Sequence, residues 1–471
     1  MTPKKYRLTK TWLAITGPPP QYYPLALRQR QAGVLTVAGK WDLAEQLLRR
    51  NLDQARESGD MAAIAGSQRD LGAILFKKGE YDQAKGLYLQ SQQAAETIND
   101  PDLLSAALNN IGTLYFNQGD YAGAAECFEK RRGITMQTGD RQGLGEALNN
   151  LGTLHADRGN YDQAMDCYRQ KLEIAQSLGD RQGEGLAWGN VAMIHYYQGK
   201  MDLVIENLKK QEETAAEIGD KHTMALCSGN LGLVYMDLGD YERAMEYNNK
   251  KLALTRALGD KSGVNSAVSN IGVLYYYMGR YEESLECMRQ EMEGARELGD
   301  KLSLALAEFN VANIYKDTGR YPEAGQYYQK ALSAIEAMDV KYYLCDILIN
   351  RAELYFLTGD HKAAGEAADR AALLAREIKR TDNDFFGDIF KAKLLGVSDR
   401  TGAIEMLITM LGRYSQEPEL ARINFEIYYL NGDQKNRDES LRRYRSLYGR
   451  TPKAEYRDRI MVLQKNVSEN T

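Results

Sequence analysis

The chain has 471 residues, 65 acidic and 60 basic, for a formal net charge of -5. The two signs are interspersed, which excludes the broad basic field used to hold nucleic acid, and no run of about 18 apolar residues occurs, which excludes insertion into a membrane as a helix. Five cysteines, Cys127, Cys167, Cys227, Cys287 and Cys345, are odd in number and widely spaced, and three share one position of an internal period. They read as reduced, half-buried small hydrophobes rather than a disulfide set or a zinc site.

In chain order, residues 1–24 carry basic residues but no apolar segment long enough for a signal peptide. Their "TGPPPQYYP" reads as a rigid, extended lead-in, and the expected compartment is the cytosol. From residue 25 to about 375 the chain repeats itself every forty residues. Glycine recurs at Gly39, Gly79, Gly119, Gly159, Gly199, Gly239, Gly279, Gly319 and Gly359. Two residues on stand Trp41, Tyr81, Tyr121, Tyr161, Tyr241, Tyr281 and Tyr321, with Met201 and His361 as substitutes, and Ala44, Ala84, Ala124, Ala164, Ala244, Ala324 and Ala364 follow. Half a period away lie Gly-Asp pairs, so that the repeats are punctuated near 59, 99, 139, 179, 219, 259, 299 and 339.

Two breakers per period leave two segments of roughly 15 to 18 residues, an ordinary helix length. The apolar spacing of Ala107, Leu108, Ile111, Leu114 and Tyr115 is that of one helical face. Glycine can close one helix in the left-handed conformation, and the following Asp can cap the next. Gly112, Gly152, Gly232, Gly272 and the alanine series let the two helices approach closely. A single helix pair cannot bury its apolar face, but stacked neighbours can, so about nine such pairs should build an all-α solenoid. Beyond residue 375 the phase is lost, and 376–463 read as divergent helix pairs or a cap, with 464–471 a disordered tail.

The pattern N-[IL]-G-x-x-Y-x-x-x-G-x-Y-x-x-A, as in "NIGTLYFNQGDYAGA" and "NLGLVYMDLGDYERA", resembles the tetratricopeptide repeat, TPR, over residues 25–375. The forty-residue period and linkers such as "GDRQGEGLA" and "GDKSGVNSA" are similar to those of the Pins/LGN adaptors and of bacterial TPR signalling proteins. The resemblance implies a right-handed superhelix whose first helices line the concave surface. It also implies that the asparagine of the motif, here Asn110, Asn150, Asn190, Asn230, Asn270, Asn310 and Asn350, grips a bound peptide. Arg30 and Asp70 occupy that position at the N-terminal end, so the first two repeats are expected to be structural.

The residues themselves leave two readings of this asparagine ladder. An amide offers two donors and an acceptor, which suits a peptide main chain, but the same groups can tie neighbouring helices together. The row beside the ladder is apolar in mid-array, with Leu186, Met193 and Tyr197 around Asn190, Leu226 and Leu233 around Asn230, and Val273 and Tyr277 around Asn270. Left exposed, such a strip marks an interaction site; curvature could instead bury part of it. Glu146, Thr153 and Asp157 precede it, and Asn313, Asp317, Asp346 and Glu353 follow, which suits a ligand with an apolar middle and a basic end. The row Ala106, Glu146, Leu186, Leu226, Ser266 and Leu306 contains no Lys or Arg, so a clamp for a terminal carboxylate is not expected.

Nothing in the sequence supports catalysis. His155 and His195 stand in a tyrosine column, His222 follows a turn, His361 replaces a turn tyrosine, and none has a partner at metal-ligand spacing. No phosphate loop, nucleophile elbow or dinucleotide fingerprint occurs, so no cofactor and no metal are expected. Arg442, Arg443 and Arg445 beside Tyr444 and Tyr448 read as a solvated helix face, since Asp438 and Glu439 precede them. The expectation is a scaffold that binds an extended peptide segment of a partner protein. The rival is a regulatory array controlling a signalling enzyme or transcription factor, with the C-terminal segment as its output surface.

Overall fold

The computed structural model describes residues 25–37, 40–378, 380 and 383–465. The lead-in, Gly39 and all but the start of the tail lie outside them. Every element among the described residues is helical. In chain order these are α1 (Leu25–Val37), α2 (Trp41–Ser58), α3 (Met61–Lys77), α4 (Tyr81–Thr97), α5 (Pro101–Asn117), α6 (Tyr121–Thr138), α7 (Arg141–Asp157), α8 (Tyr161–Leu178), α9 (Arg181–Tyr197), α10 (Met201–Glu217), α11 (Lys221–Asp237) and α12 (Tyr241–Leu258). There follow α13 (Lys261–Tyr277), α14 (Tyr281–Leu298), α15 (Lys301–Asp317), α16 (Tyr321–Ala337), α17 (Lys341–Leu357), α18 (His361–Glu377), α19 (Asn383–Ser398), α20 (Arg400–Arg413), α21 (Glu417–Asn431), α22 (Gln434–Arg450) and α23 (Ala454–Lys465). The forty-residue period is thus a helix pair repeated, as the punctuation implies.

The turns follow from their residues. Gly119 and Gly139 take φ of 77° and 75°, the left-handed conformation that ends a helix at little cost to glycine. Where the sequence offers no glycine, Asn99 and Asp339 take the same conformation at φ 52°. The residue after the turn then caps the next helix: Asp140 accepts from the Gly143 amide at 2.9 Å and Asp260 from that of Gly263 at 2.9 Å. The same cap forms where that position carries a side chain, Asp60 accepting from the Ala63 amide and Asp360 from that of Ala363, each at 3.0 Å, so the second glycine of the linker suits the cap without being required by it.

Within a pair, the motif glycine lets the second helix press its largest side chain onto the first. A Cβ at Gly112 would lie 2.5 Å from the Phe128 ring, and one at Gly152 would lie 2.5 Å from that of Tyr168. The chain divides into two units, Met1–Lys210 and Gln211–Thr471. In the first, Leu48, Leu71, Leu75, Tyr88, Ile111 and Leu114 belong to one continuous core. In the second, the core runs through Met288, Val311, Ile314, Tyr328, Ile347 and Leu354.

The divergent C-terminal part of the second unit forms two more pairs, α19 with α20 and α21 with α22, followed by α23. Phe390 of α19 seals Ala352 and Ala364 of the last regular repeat. The chain then returns to α13: a Cβ at Gly239 would stand 2.5 Å from Thr451 Cα, and one at Gly279 would stand 3.1 Å from Ala454 Cβ.

Candidate functional site

The first helix of each regular repeat presents its asparagine half-buried, beside the core stripe. The structure divides the seven. Asn150 Nδ2 donates to Asn109 Oδ1 at 2.8 Å and Asn190 Nδ2 to Asn149 Oδ1 at 2.8 Å, each across one repeat. Asn270 Nδ2 donates to Asn248 Oδ1 at 2.9 Å. Asn350 donates to the Asp346 carbonyl at 3.0 Å and accepts from Lys316 at 3.2 Å. Asn110, Asn230 and Asn310 bond no described residue. Helix-to-helix bonding therefore engages part of the ladder and leaves three whole amides and several second lone pairs open.

The apolar row divides likewise. In the first unit Leu186 is 52% exposed and Tyr197 is 56% exposed with one ring face stacked on Tyr161 at 5.5 Å, while Met193 packs half-buried on the α8–α9 core. In the second, Leu226 and Leu233 are 54% and 41% exposed, whereas Val273 packs against the core. Tyr277 is half-buried, stacked on Tyr241 at 6.2 Å, with the Lys453 ammonium 5.2 Å from its ring. That Lys453 belongs to the returning C-terminal segment, so the chain itself covers this part of the strip.

A second set of polar groups reaches the same face from the second helices, at Arg131, Lys171, Lys251 and Glu291, one period apart but for Gln211. Arg131 donates to Asn109 Oδ1 at 2.6 Å and pairs with Glu146 at 2.5 Å. Lys171 donates to Asn149 Oδ1 at 2.8 Å, is 7% exposed and has no carboxylate partner among the described residues, and burial pushes its ammonium down to about 8. Lys251 donates to Ser266 at 2.8 Å, and its stem fills the space over Gly229. Glu291 is 4% exposed, its Oε2 has no partner, and burial pushes its carboxyl up to about 7. The first-helix row indeed lacks cations; they arrive from the other helix of the pair. Their signal in the sequence is a charged residue recurring inside the buried stripe of a helix, where packing alone calls for an apolar one.

His155 and His195 pack into the array, each keeping a buried Nδ1 without a partner, and burial pushes both below the usual imidazole range, whereas His222 and His361 are exposed. Burial raises the thiols of Cys127, Cys167 and Cys227. Among the described residues no group of three His, Cys, Asp or Glu is placed to hold a metal, and no helix is long and apolar enough to cross a membrane.

Family models described as tetratricopeptide repeat match residues 60–137, 102–177 and 264–337, and two others of the same description match 226–262 and 347–370. Together these segments cover more than half of the chain. No curated protein matches it. Among solved structures, the apo form of the quorum sensor NprR from B. thuringiensis is 14% identical, covers 74% of this chain and 98% of its own, and superposes with a TM-score of 0.53. Aspartyl phosphate phosphatase F from Bacillus subtilis is 15% identical, covers 74% of this chain and 93% of its own, and has a TM-score of 0.52. At such identities the likeness is one of fold. The matched segments are the forty-residue helix pairs that carry the asparagine and glycine columns, and the chain accordingly belongs to the tetratricopeptide-repeat proteins.

Proposed function

We propose that this chain is a non-catalytic scaffold of the cytosol that holds an extended segment of a partner polypeptide on the first-helix face of its repeats. Within each unit the amides of the ladder bond the main chain of such a segment, with Leu186 and Tyr197 in the first unit, and Leu226 and Leu233 in the second, receiving apolar side chains. One observation carries the reading: Asn110, Asn230 and Asn310 stand half-buried on this face with no bond to a described residue. A half-buried amide without a partner gives nothing to stability, whereas to a peptide it offers donor and acceptor together.

The test selects binders from a pool of short capped peptides of randomised sequence and measures their affinity for the wild type and for Asn230→Ala/Asn310→Ala. At about 1 kcal/mol per hydrogen bond, the double variant should bind roughly tenfold or more weakly with an unchanged unfolding midpoint. Equal affinity in the folded variant removes the ladder from the mechanism.

The regulatory reading draws on the return of the C-terminal segment to Tyr277, Gly239 and Gly279. A segment lying on one end of the apolar row is placed to compete with a ligand for it. Deleting residues 376–471 and remeasuring the selected peptides tests this, since competition predicts tighter binding by the truncated chain.

A further inference from the structure

The stripe of α14 that faces inward is Ser284, Leu285, Met288, Glu291, Met292 and Ala295. All but Glu291 are small or apolar, and one repeat further on its place is taken by the fully buried Ala331. Glu291 is more than nine-tenths buried, its Oε2 is unpartnered, and it makes no ion pair with a described residue. An unpaired buried carboxylate weakens a fold, so packing gives no reason for its presence.

Glu291 lines a groove of about 530 Å³ between α13 and α15. One wall carries Ser266, Ser269 and Asn270; the other carries Leu306 and Asn310, whose amide bonds no described residue. The charged side chains lining the groove, Glu291, Asp300 and Asp346, are all acidic. Asp346 is already paired with Arg380 at 2.9 Å and Asp300 caps α15 through the Ser303 amide at 3.0 Å, which leaves Glu291 as the unanswered charge. Lys251 stands nearby on α12 but is bonded to the Ser266 hydroxyl at 2.8 Å.

We propose that this groove is a subsite for one cationic side chain of a bound polypeptide, the guanidinium of arginine or the ammonium of lysine, with Glu291 as its counter-ion. The proposal rests on the peptide-binding reading above and adds its specificity. A cation entering here is desolvated against a carboxylate that is desolvated already, the setting in which a charge pair discriminates most. The Asn310 side-chain oxygen supplies a further acceptor, and the Asn310 amide on one wall and the Asn270 side-chain oxygen, whose amide nitrogen is bonded to Asn248, on the other flank the position for the main chain.

The randomised peptide pool is passed over the wild type, Glu291→Gln and Glu291→Ala, and retained sequences are read by mass spectrometry. Glu291→Gln keeps volume and Glu291→Ala reproduces the Ala331 solution one repeat on, and each variant is used once it shows a cooperative unfolding transition like that of the wild type. The expected result is enrichment of Arg or Lys at one position on the wild type, by tenfold or more, and its loss on both variants while peptides are still retained. Peptides retained without a basic preference, or with a preference the variants keep, overturn the subsite and leave the peptide-binding reading standing. If no peptide is retained by any form, that reading fails, and calorimetric titration of agmatine decides the subsite alone. Uptake by the wild type and not by Glu291→Gln then assigns the groove to a free amine in place of a peptide side chain; no uptake overturns it.

Discussion

Glu291 and Lys171 are buried charges whose protonation separates the folded from the unfolded chain. The Glu291 carboxyl is pushed up to about 7 from an ordinary 4.5 by burial, with Asp300 adding repulsion and the Ser269 hydroxyl opposing. Between those values the folded state keeps a proton that the unfolded state releases, so stability falls as pH rises through that window and is level above it. Urea unfolding of Glu291→Gln should therefore show a larger unfolding free energy than wild type at pH 8, by about 3 kcal/mol at most, with the difference shrinking towards pH 5. Lys171 runs the other way. Burial pushes it down to about 8 from 10.5, so between these values the folded state binds fewer protons and stability climbs with pH. Lys171→Met should abolish that climb, which unfolding curves at pH 7.5 and pH 10 would show. Glu353, held low by Lys316 at 2.6 Å, has a third signature: its stabilisation is present above 4.5 and is lost on acidification.

Helix pairs depend on glycine in one place and tolerate it in another. Gly152→Ala would drive a methyl into the Tyr168 ring and should lower stability by about 1 to 3 kcal/mol. Gly133, inside α6 with open space where a Cβ would go, should become more stable as alanine, by roughly 1 kcal/mol. Asp339→Gly relieves a left-handed aspartate and should be neutral or stabilising, whereas Gly299→Ala, at φ 69°, should cost about 1 to 2 kcal/mol. Thermal or urea midpoints decide all of these. The same contrast separates what could be read in the sequence from what could not. Turn glycines and capping aspartates act on their immediate neighbours in the chain, so spacing alone exposes Gly139 with Asp140. The partner of Asn150 is Asn109, on the preceding repeat, and that of Lys171 is Asn149, on the preceding helix. A helical projection of one segment contains neither, which is why the ladder was visible and the division of its amides was not.

At the scale of the molecule, the regular repeats were legible because a period states the same contacts many times over. The C-terminal helices state theirs once. Nothing in the sequence links Thr451 to Gly239 or Lys453 to Tyr277, since no second copy of that contact exists to form a column. Removing residues 376–471 should uncover Ala352 and Ala364, now sealed by Phe390, and free the face of Tyr277. We expect a lower unfolding midpoint and faster amide exchange in α13 and α17, read by hydrogen-exchange mass spectrometry. A truncated chain with unchanged stability and exchange would make the segment an output module resting on the array and no part of its core.

From Gly59 to Gly359 a residue with positive φ stands at every twentieth position, whether the sequence supplies glycine, asparagine or aspartate. The backbone is in effect a ruler with evenly spaced marks. Recombination between any two marks forty residues apart would delete or duplicate one whole module without shifting the helices on either side. A gene of this kind can lengthen or shorten its array by unequal crossing-over alone, one helix pair at a time, before any single residue within a repeat has changed.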